Sequence, residues 1–76
     1  MTERLRVAVA GVGSFSQRVL IPGLLECPAA ELVALYGPTA EKTQGIATQR
    51  GVPYAGSDYE RMLDEVRPQA VVVATP

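Results

Sequence analysis

The stretch from Arg6 to Arg18 reads RVAVAGVGSFSQR and gives the strongest indication of the fold. Its first part, Val7 to Ala10, is a short apolar run of the kind that forms a strand buried on both faces. A glycine turn follows, and the residues after it have the composition to begin a helix. A strand, a glycine turn and a helix start in this order are typical of the phosphate-binding corner of a dinucleotide fold.

The pattern G-x-G-x-x-S gives each residue of this corner a physical role. Gly11 allows the chain to leave the strand in a tight turn. Gly13 has no Cβ, so a pyrophosphate can approach the backbone closely. Ser14 and Phe15 would present free amides at the positive end of the helix dipole. Ser16 stands where the pattern usually has Gly or Ala. The alternative interpretation is an ordinary strand–turn–helix corner that binds no ligand.

The rest of the sequence continues the alternation of strand and helix with short connections. This alternation predicts an α/β fold, namely the N-terminal half of a Rossmann-like doubly wound parallel sheet, βαβαβαβ, with strand order 3-2-1-4. A barrel of eight strand–helix units begins with the same alternation, but the glycine corner favours the doubly wound sheet. The predicted strands are Leu5–Ala10, Glu31–Tyr36, about Val52–Ala55, and Gln69–Ala74.

The predicted helices carry recognisable start and stop signals. Pro22 and Gly23 lie inside the first helix, where we expect them to break it. Thr39 is a plausible N-cap for the second helix. Ser57 and Glu60 have the spacing of a capping box at the start of the third helix.

Composition excludes several classes of protein. The chain has 76 residues, a formal net charge of −1 and 47% hydrophobic residues, which is typical of a globular protein. Its basic residues are scattered, which argues against nucleic-acid binding, and no apolar stretch approaches the roughly 20 residues that span a membrane. Cys27 is the single cysteine and histidine is absent, so neither an internal disulfide nor a zinc site is expected. We therefore expect a cytoplasmic location.

No carboxylate follows the second predicted strand, where dinucleotide folds carry the acidic residue that binds the adenosine ribose. The sequence there has Gly37, and Thr39 and Lys42 lie just beyond. A hydroxyl and an ammonium group can both meet a phosphate. The expected cofactor is NAD or NADP, with NADP slightly favoured. The alternative for Thr39 and Lys42 is a helix cap and a surface lysine.

The motifs together resemble the N-terminal part of the Gfo/Idh/MocA oxidoreductases, the family of glucose–fructose oxidoreductase and inositol dehydrogenase. The resemblance rests on four segments and covers nearly the whole chain. It implies an NAD(P)-dependent oxidoreductase acting on sugars, cyclitols or related polyols. The segments are RVAVAGVGSFSQ, IPGLLECPAAELVALY, AEKTQGIATQRGVPYAGSDYERMLDE and AVVVATP.

The resemblance also implies where the cofactor lies. Its pyrophosphate would lie over the glycine corner, and Thr75 and Pro76 would lie beside it at the carboxyl end of the fourth strand. In the family the catalytic lysine follows a fifth strand, and a later histidine acts with it. Lys42 is the single lysine here and is placed near the adenosine end. No catalytic residue is therefore predicted within these residues.

Residues 1–76 are accordingly interpreted as part of an NAD(P)-binding domain, without the rest of the fold and without a substrate domain. Val71 to Ala74 is apolar on both faces, as in an internal strand, so we expect the chain to depend on a missing C-terminal part or on a partner chain. The competing hypothesis is a non-catalytic nucleotide-binding or interaction module with no activity of its own.

Overall fold

Strands and helices alternate along the whole chain, as the sequence predicts. The computed structural model describes residues 4–74. The first helix begins at Ser14, passes through a π-helical segment and continues as an α-helix. The elements are β1 (Leu5–Ala10), the π-helical segment (Ser16–Leu20), α1 (Ile21–Glu26), β2 (Ala30–Tyr36), α2 (Ala40–Arg50), β3 (Tyr54–Gly56), α3 (Tyr59–Val66) and β4 (Ala70–Val73).

The four strands form one parallel sheet in the order β3-β2-β1-β4, which confirms the predicted strand order. β1 lies inside the sheet, where Val9 pairs with Leu35 of β2 on one side and Val72 of β4 on the other. Because all strands are parallel, their carboxyl ends meet at one edge. The glycine corner leaves β1 at that edge.

Two apolar layers cover the two faces of the sheet. Val9 and Leu35 are both fully buried and point to the side that holds α1 and α2, where they pack with Ile21 and Ile46. Their chain neighbours point to the opposite face, where Met62 of α3 covers them. The alternation explains why β1 and β2 are apolar at consecutive positions, since both of their faces are buried.

Pro22 does not break the first helix, so the predicted interruption at Pro22 and Gly23 is wrong. In the π-helical segment the amide of Ile21 donates to the carbonyl of Ser16, five residues earlier. Pro22 then stands in the first turn of α1, where a missing N–H does not disrupt the helix. The wider turn before the proline lets the helix continue as far as Glu26.

The third helix is capped one residue later than predicted. Asp58 is its N-cap, and the Asp58 carboxylate accepts a hydrogen bond of 3.0 Å from the Arg61 amide. The predicted capping box of Ser57 and Glu60 is therefore wrong. Asp58 is the better cap because its carboxylate both accepts this bond and carries a negative charge at the helix N-terminus.

The third strand also begins later than predicted, at Tyr54 instead of Val52. The amide of Val52 is already used, because it donates to the carbonyl of Ala47 at 2.9 Å. Gly51 supports this helix end with a left-handed backbone, φ 73°. Val52 therefore closes α2, and the strand starts after Pro53.

Candidate functional site

Gly11 makes the turn that ends β1. Its φ is 125°, a conformation that side-chain-bearing residues rarely adopt. The Gly11 amide donates to the carbonyl of Tyr36 at 2.8 Å, which ties the corner to the end of β2. The corner is therefore held against the sheet from its first residue.

Gly13 lies open on the surface two residues later. A Cβ built on Gly13 would have no neighbouring atom within 4 Å. The amide of Gln17 donates to the Gly13 carbonyl at 3.0 Å, so helical hydrogen bonding begins at Gln17. The amides of Ser14 and Phe15 precede that first bond and have no acceptor within the helix. This arrangement, with an uncovered glycine beside free helix amides, fits a pyrophosphate.

Gln17 has a role that sequence reasoning missed. Its side-chain amide donates to the carbonyl of Val12 at 2.7 Å, and its own carbonyl accepts from Arg50 at 3.1 Å. These two contacts connect the glycine corner to the start of the first helix and to the end of α2. The signal in the sequence is weak, because a glutamine at this distance from a glycine turn has many other uses.

Ser16 is 1% exposed, and within residues 4–74 its hydroxyl has no hydrogen-bond partner. Ser16 is small enough to pack where the pattern usually has Gly or Ala, but its oxygen is desolvated without compensation.

Gly37 lies at the end of β2 in a space that has no room for a side chain. A Cβ built on Gly37 would collide with the hydroxyl oxygen of Thr43 and would lie 2.7 Å from a methyl group of Val12. The sequence places Gly37 where dinucleotide folds carry an acidic residue that binds the adenosine ribose. A side chain at this position would have to displace Thr43 or Val12.

The first of two grooves lies between the glycine corner and the start of α2. Its volume is about 240 Å³. Thr39 occupies the N-cap position of α2, but its side chain makes no capping bond, so its predicted role as a cap holds for position only. Within the described chain, no acidic side chain lines this groove. The lining residues are Gly11, Val12, Gly13, Pro38, Thr39, Lys42 and Ala74.

The second groove lies on the other side of the corner, between the first helix and β4. Its volume is about 400 Å³, and its lining is largely apolar. It shares Gly13 and Ala74 with the first groove, so the two meet at the carboxyl ends of β1 and β4. Thr75 and Pro76, which the sequence also assigns to the site, lie outside the described residues. The lining residues are Gly13, Ser14, Phe15, Leu20, Val72, Val73 and Ala74.

Residues 5–76 match the family described as "Oxidoreductase family, NAD-binding Rossmann fold". The chain belongs to the Gfo/Idh/MocA oxidoreductase family. The match covers both grooves and every strand, so the glycine corner is part of a Gfo/Idh/MocA NAD-binding domain.

A relative within the curated proteins is the uncharacterized oxidoreductase sll0816 of Synechocystis. It is 35% identical over 75 residues, which cover 99% of this chain and 20% of that protein. The chain therefore spans about a fifth of the length of this relative.

Solved structures share the fold at lower identity. Myo-inositol 2-dehydrogenase from Lactobacillus plantarum superposes with a TM-score of 0.85 at 23% identity, covering 97% of this chain and 22% of that one. Scyllo-inositol dehydrogenase from Lactobacillus casei, with bound NAD(H) and scyllo-inositol, has a TM-score of 0.84 at 16% identity, covering 97% of this chain and 22% of that one. KijD10, a 3-ketoreductase from Actinomadura kijaniata in complex with TDP-benzene and NADP, has a TM-score of 0.85 at 23% identity, covering 97% of this chain and 23% of that one.

A cluster of titratable side chains lies at the β3 edge, outside both grooves of the Gfo/Idh/MocA domain. Arg61 and Glu65 form an exposed ion pair of 2.9 Å, and the hydrogen bond to Glu65 raises the pKa of Arg61. The pKa of Tyr54 is raised, first by desolvation and then by the neighbouring negative charge of Glu65. The Arg61 shift arises from its pairing with Glu65, whereas the Tyr54 shift arises mainly from burial.

Among residues 4–74, no group of three or more His, Cys, Asp or Glu side chains is arranged to hold a metal ion. In the same residues, every helix is too short or too polar to cross a membrane.

Proposed function

We propose that this chain binds NAD(P), with the pyrophosphate over Gly11, Gly13, Ser14 and Phe15. One observation carries the proposal: two grooves meet at Gly13, beside the free amides of the first helix. A dinucleotide is a two-armed ligand whose middle is a pyrophosphate. Its charge would lie at the positive end of the helix while each arm enters one groove.

We assign the adenosine arm to the groove with Thr39 and Lys42. In dinucleotide folds the end of the second strand binds the adenosine ribose, and β2 ends beside this groove. The other groove, with Phe15, Val72 and Val73, would then receive the nicotinamide arm, and Thr75 and Pro76 follow directly in the chain. The largely apolar lining suits the ring of that arm.

We further propose that the cofactor is NADP in preference to NAD. Lys42 is exposed, and the Thr39 side chain is not used to cap α2. No acidic side chain of the described chain lines the groove to repel a 2′-phosphate. Related structures contain either NAD(H) or NADP, so the choice rests on this chain's own residues.

For the whole protein we propose an NAD(P)-dependent oxidoreductase acting on sugars, cyclitols or related polyols, with residues 1–76 as part of its cofactor-binding domain. Inositol dehydrogenases and a ketoreductase among the relatives support this substrate class. A nicotinamide cofactor held by this domain would supply hydride transfer to or from the substrate. The residues described here bind and orient the cofactor, and none is assigned a catalytic role.

A titration with NADH and NADPH, followed by their fluorescence, tests the proposal. Gly13→Ala places a methyl group in open space at the junction of the grooves, so we expect affinity to fall by about tenfold while the fold persists. Gly45→Ala, in α2, is the matched control because it also adds a methyl group in open space. Equal affinities for the two variants, or no binding by the unaltered chain, would refute the proposal.

A further inference from the structure

Thr43 carries a buried hydroxyl group and lies beside the adenosine groove without lining it. It lies in α2 and is 0% exposed. Its hydroxyl donates to the carbonyl of Thr39 at 2.8 Å, and its amide donates to the same carbonyl at 3.0 Å. One residue therefore holds the peptide that begins α2 with two hydrogen bonds.

The same hydroxyl fills the space that a side chain at residue 37 would need. A Cβ on Gly37 would collide with the Thr43 oxygen, and a methyl group of Val12 lies against the same point. Thr43 is thus in contact with both ends of the connection from Gly37 to Thr39. Val12 brings the glycine corner to the same place.

We propose that Thr43 is a positioning residue that gives the site its preference for NADP over NAD. It acts in two ways. Its hydroxyl fixes the backbone from which Thr39 and Lys42 reach the adenosine groove. Its oxygen also occupies the space that an acidic side chain at residue 37 would require. The inference rests on the proposed function, since it concerns the adenosine end of the same site.

Removal of the Thr43 hydroxyl would affect the two nucleotides unequally. Without the Thr43 hydroxyl, the Thr39 carbonyl keeps a single hydrogen bond from residue 43, and the connection from Gly37 loses its anchor. Thr39 and Lys42 would then be held less firmly where a 2′-phosphate binds. NAD has no 2′-phosphate and does not use those contacts. Loss of the hydroxyl should therefore weaken NADP binding more than NAD binding.

The experiment compares NADPH and NADH affinities of the unaltered protein with those of Thr43→Val and Thr43→Ser. Thr43→Val removes the hydroxyl at nearly constant size, and we expect about a tenfold loss of NADPH affinity with NADH changed by less than about twofold. Thr43→Ser keeps the hydroxyl and should retain the original ratio. Thr48→Val is the matched control, because the same substitution in the same helix affects an exposed side chain.

Each outcome decides the inference. An NADPH to NADH ratio that stays constant in Thr43→Val, or one that falls equally in Thr43→Ser, overturns it. An unaltered protein that binds both nucleotides but prefers NADH also overturns it and leaves dinucleotide binding intact. Binding of neither nucleotide refutes the proposed function as well. Thr43→Ala lacks the hydroxyl and adds no bulk against Gly37, so it is measured in parallel, and thermal unfolding of every variant is recorded.

Discussion

Gly37 and Thr43 lie against each other at the end of β2: the hydroxyl oxygen of Thr43 would collide with a Cβ on residue 37. The hydroxyl stays there because it also bonds to the carbonyl of Thr39 at 2.8 Å. Glycine at this position therefore follows from packing. It does not by itself indicate which dinucleotide the chain binds.

We predict that Gly37→Ala destabilises the protein by about 1–3 kcal/mol, the range typical of overpacked sites. The new methyl group would displace the Thr43 hydroxyl, break its hydrogen bond and push against Val12. Urea unfolding followed by circular dichroism measures the change. Gly45→Ala meets no atom within 4 Å and should be neutral or stabilising by up to about 1 kcal/mol. Equal midpoints for the two variants would contradict the packing argument.

The sheet could be predicted from the sequence because its determinants are local and repetitive. The apolar runs of β1 and β2, the glycine turn and the short connections follow general rules for parallel sheets. The turn geometry of the glycine corner also follows from its sequence pattern. Gly11 has the positive φ expected of a tight turn, and Gly13 lies open beside the first free amides.

The remaining features of the site depend on contacts that the sequence does not show. The collision at Gly37 involves Val12 and Thr43, which lie on different elements. Gln17 lies in the π-helical segment, and no sequence pattern indicates the bond from its side chain to the carbonyl of Val12. The sequence does not distinguish the neighbouring residues Ser57 and Asp58 as the helix cap, because both types are good caps and only the geometry separates them.

Ser16→Ala should stabilise the protein by about 1 kcal/mol. The Ser16 hydroxyl is buried and, within the described residues, unpaired, so it has lost its hydration without gaining a hydrogen bond. Alanine keeps the packing and removes the desolvated oxygen, and it is also a usual residue at this position of the pattern. Thermal unfolding measures the change, with Ser14→Ala as an exposed control at the same corner. A lower melting temperature for Ser16→Ala would show that the hydroxyl has a stabilising partner.

Arg67→Gly should stabilise the protein by about 0.5–1 kcal/mol. Arg67 ends α3 in a left-handed conformation with φ 51°, the single non-glycine residue of positive φ in the described chain. The guanidinium of Arg6 donates to the Arg67 carbonyl at 3.0 Å, and glycine would keep this backbone bond. Gly51→Ala is the converse test, because residue 51 has φ 73° and no steric neighbour within 4 Å. Urea unfolding should move the two variants in opposite directions.

Val73→Lys should reduce self-association of the 76-residue chain. In the described sheet β4 pairs with β1 alone, so its other edge presents unpaired amides and carbonyls. Val73 is 67% exposed there, and Phe15, which lines the same groove, is 64% exposed. A lysine on an edge strand opposes strand pairing by charge repulsion and solvation.

Sedimentation velocity over a concentration series should show the unaltered chain associating and Val73→Lys shifted toward monomer. Val19→Lys introduces the same charge at an exposed position of the first helix and should leave association unchanged. A strictly monomeric unaltered chain, or an equal effect of both lysines, would refute association through β4.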